Sequence, residues 1–218
     1  MKHVPNALTV GRIIAAPVCL YLLWLGDHLL REETMGGEED AFWAQAAGAA
    51  LFILAAITDW LDGELARKYG VGSRLGQFLD PLADKVLVLG AFLLIPFLTP
   101  IGPGLAAPAG AWLPWVAIGA IAARDLAVTL LRVARERRGA PLATSSAAKW
   151  KTAWQLTFLI TAFVFLAGSH ARTFDGALGA LGRFLYAALE SPAALVFLIA
   201  TAAVTVYTGA LYFRRVEA

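Results

Sequence analysis

Apolar runs of close to twenty residues, joined by short polar connections, constrain this chain before any motif does. They lie at about 13–30, 41–58, 79–99, 111–131, 150–168 and 193–213. Each reaches or approaches the ~20 residues that a helix needs to cross the hydrocarbon of a bilayer. Their period is helical or unbroken, and nothing alternates as a barrel strand would. The expected fold is therefore all-α, a polytopic membrane protein with six transmembrane helices forming one domain over 1–218. A 59% hydrophobic content, 16% charged residues and a mean hydropathy of +0.67 leave little room for a separate soluble domain.

The first twelve residues, MKHVPNALTVGR, read as a short, weakly basic interfacial helix that Pro5 can open. No convincing small-x-small cleavage site follows the first apolar run, so the N-terminus is expected to be retained. The single cysteine, Cys19, excludes an intramolecular disulfide and is expected to face lipid or pack in the core. A net charge of +2 is too small to argue for nucleic acid, and its placement says more than its sum. The N-terminus, the 59–85 and 132–151 connections and Arg214-Arg215 are basic, whereas 27–40 is acidic and 99–111 carries no charge. Because Lys and Arg are held inside, both termini and the 59–85 connection are expected on the cytoplasmic face. Arg135, Arg137 and Arg138 read as anchors of that kind. The mixed connection 170–190, with a Gly-rich middle, reads as a short surface excursion.

The polar residues that matter most stand at the borders of two runs. Asp59, Asp62, Asp80 and Asp84 follow one another at spacings of three, eighteen and four, directly after the run ending at Thr58 and directly before the run starting at Val86. Each close pair would share one face of a helix, so two facing segments could converge four carboxylates on one point. Such a cluster repels itself unless a cation holds it. A single Asp at a membrane border can be a cap or an interface charge, but an ionised Asp near the core costs about 2.5–3.5 kcal/mol, and acids there usually line a cavity or bind something. Hard carboxylate ligands suit Mg²⁺ or Mn²⁺. Two such ions can neutralise and align a phosphoryl-type transfer.

Written out, this stretch is D-x2-D-G-x2-A-R-x8-G-x3-D-x3-D, with Asp59, Asp62, Gly63, Ala66, Arg67, Gly76, Asp80 and Asp84 at its fixed positions. It resembles the signature of the CDP-alcohol phosphatidyltransferase family. The resemblance implies an integral membrane enzyme, in a bacterium that of the inner cell membrane with its active site on the cytoplasmic side. Such an enzyme uses two divalent ions to pass a phosphatidyl group from a CDP-linked lipid to an alcohol, releasing CMP. It also implies that Asp59, Asp62 and Asp80 are metal ligands, that Asp84 joins them and serves as general base, and that the protein is a homodimer. Spacing alone leaves open which of the four is the base. Gly63 and Gly76 lack Cβ, so a nucleotide can approach the backbone; Ala66 acts similarly, and Arg67 offers a fork to a phosphate. Tight helix packing by small residues explains the glycines equally well.

Two further segments resemble the branch of that family that makes phosphatidylglycerophosphate from CDP-diacylglycerol and glycerol 3-phosphate. In Pro5-Asn6-Ala7-Leu8-Thr9-x2-Arg12, the resemblance implies that Asn6, Thr9 and Arg12 help hold the CDP-lipid head group. On the residues alone the same stretch is a helix cap with an interfacial arginine. Arg124-Asp125 lies inside the fourth run, with Arg132 near the same helical face, and Lys149-Trp150-Lys151-Thr152 opens the fifth. An intramembrane arginine needs a polar cavity or a partner, and Asp125 or a motif aspartate is the simplest partner. The resemblance implies that Arg124, Arg132, Lys149 and Lys151 bind the acceptor, although Ala148 stands where that pattern has Gly and Asp125 where Glu is more familiar. The same chemistry with serine, an inositol phosphate or a lipid acceptor is the nearest rival. A cation transporter or channel is the rival of another class, but its acids should be spread through the membrane depth. A silent scaffold is argued against by the full set of four aspartates.

Overall fold

The computed structural model describes residues 4–31, 37–69, 74–101, 109–137 and 146–217; within its helices the side chains of 4–10, 12, 59–69, 74–84, 109–111, 136–137, 146–148 and 215–217 lie outside the described residues. The described chain is helical: α1 (Val4–Arg31), α2 (Gly37–Tyr69), α3 (Arg74–Leu98), α4 (Ala109–Arg137), α5 (Ser146–Ser169), a 3-10 turn (His170–Thr173), α6 (Gly176–Glu190) and α7 (Pro192–Glu217). Helices are the expected answer for segments in lipid, because they pair every backbone N–H and C=O within themselves.

Among the described residues, four helical stretches are long and apolar enough to cross a membrane: Ile13–Arg31, Gly37–Thr58, Lys149–Thr173 and Pro192–Arg214. A shorter apolar stretch, Lys85–Leu98, belongs to α3. In α4 the charged pair Arg124-Asp125 interrupts the apolar sequence. Large apolar side chains such as Ile14, Leu54, Leu93, Trp115 and Val196 point outward. That is the surface expected of a protein solvated by lipid, where apolar exposure carries no penalty.

The chain divides into two compact units, one of residues 1–99 with 159–187 and one of 100–158 with 188–218. In the first, α1 packs against both α2 and α3. Its buried residues Ala16, Cys19 and Leu23 recur at helical spacing, and Cys19 donates to the Gly48 carbonyl at 3.3 Å, so this thiol belongs to the core. Phe52 and Phe163 meet edge-on at 5.3 Å between ring centres. Buried Gln45 is paired with His170 at 2.6 Å, which ties the 3-10 turn to α2. In the second unit α4 packs against α7. Phe197 there takes Trp154 and Phe158 edge-on at 5.9 Å and 5.3 Å.

Two sequence expectations change. From Val4 onward the N-terminal segment is not a separate interfacial helix but the first turns of α1, with no break before the span. Extending a formed helix is easier than starting a second one. The 170–190 connection is largely exposed, as expected, but it is not a loop, because fifteen of its residues form α6. Its glycines serve close packing: a Cβ on Gly182 would lie 2.2 Å from the Arg172 backbone nitrogen, and one on Gly179 would lie 1.8 Å from the Phe174 carbonyl oxygen. Arg172 also lies over the Tyr186 ring at 4.6 Å, which holds the turn against α6.

Candidate functional site

The four motif aspartates stand at the two helix ends that border one connection. Asp59 and Asp62 lie on α2 just beyond its apolar part, which ends at Thr58, and the helix runs on unbroken to Tyr69. Asp80 and Asp84 lie in the first turns of α3, just before Lys85–Leu98. The helical backbone therefore puts the members of each pair about one turn apart, the register that the spacing predicts. Carboxylates are the hard oxygen donors that Mg²⁺ and Mn²⁺ take, so the donor set fits those ions by its chemistry. Gly63, Ala66 and Arg67 follow on α2, and Gly76 is on α3. Asn6, Thr9 and Arg12 are on α1. The side chains of all these residues lie outside the described residues. Among the described residues no group of three or more His, Cys, Asp or Glu is gathered for a metal.

In the second unit the side chains of Arg124, Asp125 and Lys151 are described. Asp125 accepts from Arg124 Nη1 at 2.9 Å through Oδ1 and from Lys151 Nζ at 2.7 Å through Oδ2. These side chains are 10%, 12% and 4% exposed for Arg124, Lys151 and Asp125, so both ion pairs are largely removed from solvent. One carboxylate serves two cations. Taking charges out of water is expensive unless pairing and hydrogen bonds offset it. Of the partners the sequence offers Arg124, Asp125 or a motif aspartate, Asp125 is the one seen among the described residues. Lys151 sharing it is the new element.

Polar residues that sequence reasoning passed over complete the arrangement. Gln155 is buried, and its Nε2 lies 3.3 Å from Asp125 Oδ2 and 3.3 Å from Thr205 Oγ1. Thr208 accepts from Arg124 Nη2 at 3.2 Å while its own hydroxyl donates to the Thr205 carbonyl at 2.9 Å. A sequence signal did exist: Gln155 follows Lys151 by four, and Thr201, Thr205 and Thr208 recur at helical spacing inside an apolar span. Arg132 lies further along α4, where its Nε donates to the Tyr212 hydroxyl at 3.1 Å and its guanidinium sits 5.5 Å from the ring centre. Lys149 is exposed. A cavity of about 890 Å³, lined in part by Glu38, Trp43, His170 and Arg172, belongs to the first unit and lies at the end of α2 remote from Asp59 and Asp62.

Comparison with known proteins matches residues 2–207 to the model of the CDP-alcohol phosphatidyltransferase family. A relative from Arabidopsis thaliana, CDP-diacylglycerol--glycerol-3-phosphate 3-phosphatidyltransferase 2, is 33% identical over 181 residues, which cover 81% of this chain and 71% of that protein. The CDP-diacylglycerol--glycerol-3-phosphate 3-phosphatidyltransferase of Bacillus subtilis (strain 168) is 35% identical over 164 residues, 75% of this chain and 77% of the relative. The cardiolipin synthase (CMP-forming) of Oryza sativa subsp. japonica is 33% identical over 159 residues, which cover 71% of this chain but 44% of that longer protein.

Proposed function

Because this chain belongs to the CDP-alcohol phosphatidyltransferase family, we propose that it transfers a phosphatidyl group from CDP-diacylglycerol to glycerol 3-phosphate, forming phosphatidylglycerophosphate and CMP. The observation that carries the choice of acceptor is the buried Arg124–Asp125–Lys151 cluster. Its guanidinium and ammonium, held side by side on one carboxylate, suit an acceptor that brings a phosphate. Serine, a zwitterion without phosphate, gives such a cluster less to hold. A lipid acceptor that bears a phosphodiester is the second reading, favoured by the likeness to the rice cardiolipin synthase.

In this reading Asp84 takes the proton from the acceptor hydroxyl. The freed oxygen attacks the lipid-side phosphorus in line with the bond to CMP, and CMP leaves as the new phosphodiester forms. Asp59, Asp62, Asp80 and Asp84 would hold two Mg²⁺ or Mn²⁺ ions, which when bound neutralise the charge that develops on the transferred group. Asn6, Thr9 and Arg12 hold the CDP-lipid together with Asp62, Gly63, Ala66, Arg67 and Gly76. Arg124 and Lys151 bind the acceptor's phosphate, with Arg132 and Lys149 adding positive charge. A direct displacement is favoured because the fixed positions of the motif carry no Ser, Cys or His that could serve as a covalent nucleophile. The protein is proposed to cross the membrane six times, with α3 and α4 completing the set, to expose its motif to the cytoplasm of a bacterial cell, and to work as a homodimer.

The test is CMP release from CDP-diacylglycerol by purified protein in detergent with Mg²⁺, offering glycerol 3-phosphate, serine, inositol phosphate or phosphatidylglycerol as acceptor. Release with glycerol 3-phosphate alone supports the proposal. Release with phosphatidylglycerol instead transfers the assignment to the second reading, and release with none returns the chain to a transport or scaffold role.

A further inference from the structure

We propose that Gly209 and Thr208 of α7 are positioning residues that set the conformation of Arg124 and thereby the affinity for a phosphate-bearing acceptor, an inference that rests on the acceptor reading above. Two adjacent residues act on one guanidinium by different means. Thr208 commits its proton to the Thr205 carbonyl at 2.9 Å, which leaves a lone pair on its oxygen for Arg124 Nη2 at 3.2 Å. Gly209 supplies room. A Cβ there would lie 2.7 Å from Arg124 Cγ, 2.9 Å from Nε and 3.4 Å from Cδ.

All three of those nearest atoms belong to Arg124, none to the α4 backbone or to another side chain. The space that Gly209 leaves is therefore filled by the arginine stem rather than by a close approach of two helices. Glycine is also a poor choice for the interior of a helix running Pro192–Glu217, where alanine is favoured by the backbone. Arg124 Nε, meanwhile, is buried without an acceptor. The arginine is thus held by Nη1 on Asp125, by Nη2 on Thr208 and by the steric gap at Gly209, while one donor stays unmatched. Buried unmatched donors are rare and call for an explanation. Here the explanation is that α7 fixes the guanidinium for a ligand at the expense of its own hydrogen bonding.

The experiment uses the full chain in detergent with CDP-diacylglycerol and Mg²⁺. Gly209→Ala is expected to raise KM for glycerol 3-phosphate roughly tenfold, the scale of one lost charge-assisted hydrogen bond, with kcat and KM for CDP-diacylglycerol nearly unchanged. Thr208→Val shifts KM in the same direction and keeps the test alive if Gly209→Ala fails to fold. Gly119→Ala on α4, where a Cβ meets nothing within 4 Å, leaves the kinetics as they were. In an Arg124→Ala background Gly209→Ala adds little, because the stem and fork that a Cβ would displace are gone. An unchanged KM in both α7 variants, or a Gly209→Ala effect that persists undiminished in the Arg124→Ala background, overturns the proposal while the acceptor reading stands. A wild type without release dependent on glycerol 3-phosphate removes the reading and the proposal together.

Discussion

Lys151 on α5 donates to the Asp125 carboxylate on α4 at 2.7 Å, and Arg124 holds the other oxygen of that carboxylate at 2.9 Å. Two groups that sequence assigns to the acceptor are thus organised by a third. Asp125→Asn keeps the shape but removes the charge that Arg124 and Lys151 both hold. Breaking a buried pair in this way costs about 3–5 kcal/mol. The variant should melt at a clearly lower temperature in detergent, followed by thermal unfolding; an unaltered melting curve would mean that the cations find another counter-charge.

Lys151 and Lys149 should separate cleanly. Lys151 is 12% exposed and paired, whereas Lys149 is exposed. Lys151→Met is expected to raise KM for glycerol 3-phosphate by about tenfold or more, the scale of a hydrogen bond to a charged group. Lys149→Met should change it by less than about threefold, as surface charges contribute little. Titrating the acceptor at saturating lipid measures both, and equal effects would return Lys149 to the binding site.

Chelation with EDTA should abolish CMP release, and Mg²⁺ or Mn²⁺ should restore it. Asp59→Asn and Asp80→Asn are expected to raise the concentration of metal needed. Asp84→Asn should instead lower kcat by roughly 10²–10⁴-fold, the usual contribution of a general base. Metal titrations at fixed substrate distinguish the two behaviours.

Gln45→Leu offers a control remote in role. It removes the 2.6 Å partner of buried His170, and both residues belong to the first unit. Leaving a buried polar group unmatched costs about 1–3 kcal/mol. Thermal stability should fall while KM for glycerol 3-phosphate holds; a change in KM would show that this end of α2 matters to the acceptor.

Much was legible in the linear order of residues. Uninterrupted apolar runs dictated helices because lipid offers the backbone no partner, and Ile13–Arg31, Gly37–Thr58, Lys149–Thr173 and Pro192–Arg214 are all found as such. The 170–190 connection is exposed as expected but helical rather than a loop, because Gly179 and Gly182 are needed where α6 meets the preceding turn. That need comes from neighbours, not from local preference.

By itself the sequence determined the membrane class, the helical periodicity and the spacing of the four aspartates, since each depends on residues within a few turns of one another. Only the tertiary structure decided which distant side chains share a charge. Asp125 meets Lys151 across 26 positions, Arg124 meets Thr208 across 84, and Gln155 meets Thr205 across 50. Periodicity says which face of a helix is polar, but not which other helix will lie against it. That choice is made by packing, in which a missing Cβ at Gly209 counts for as much as a charge.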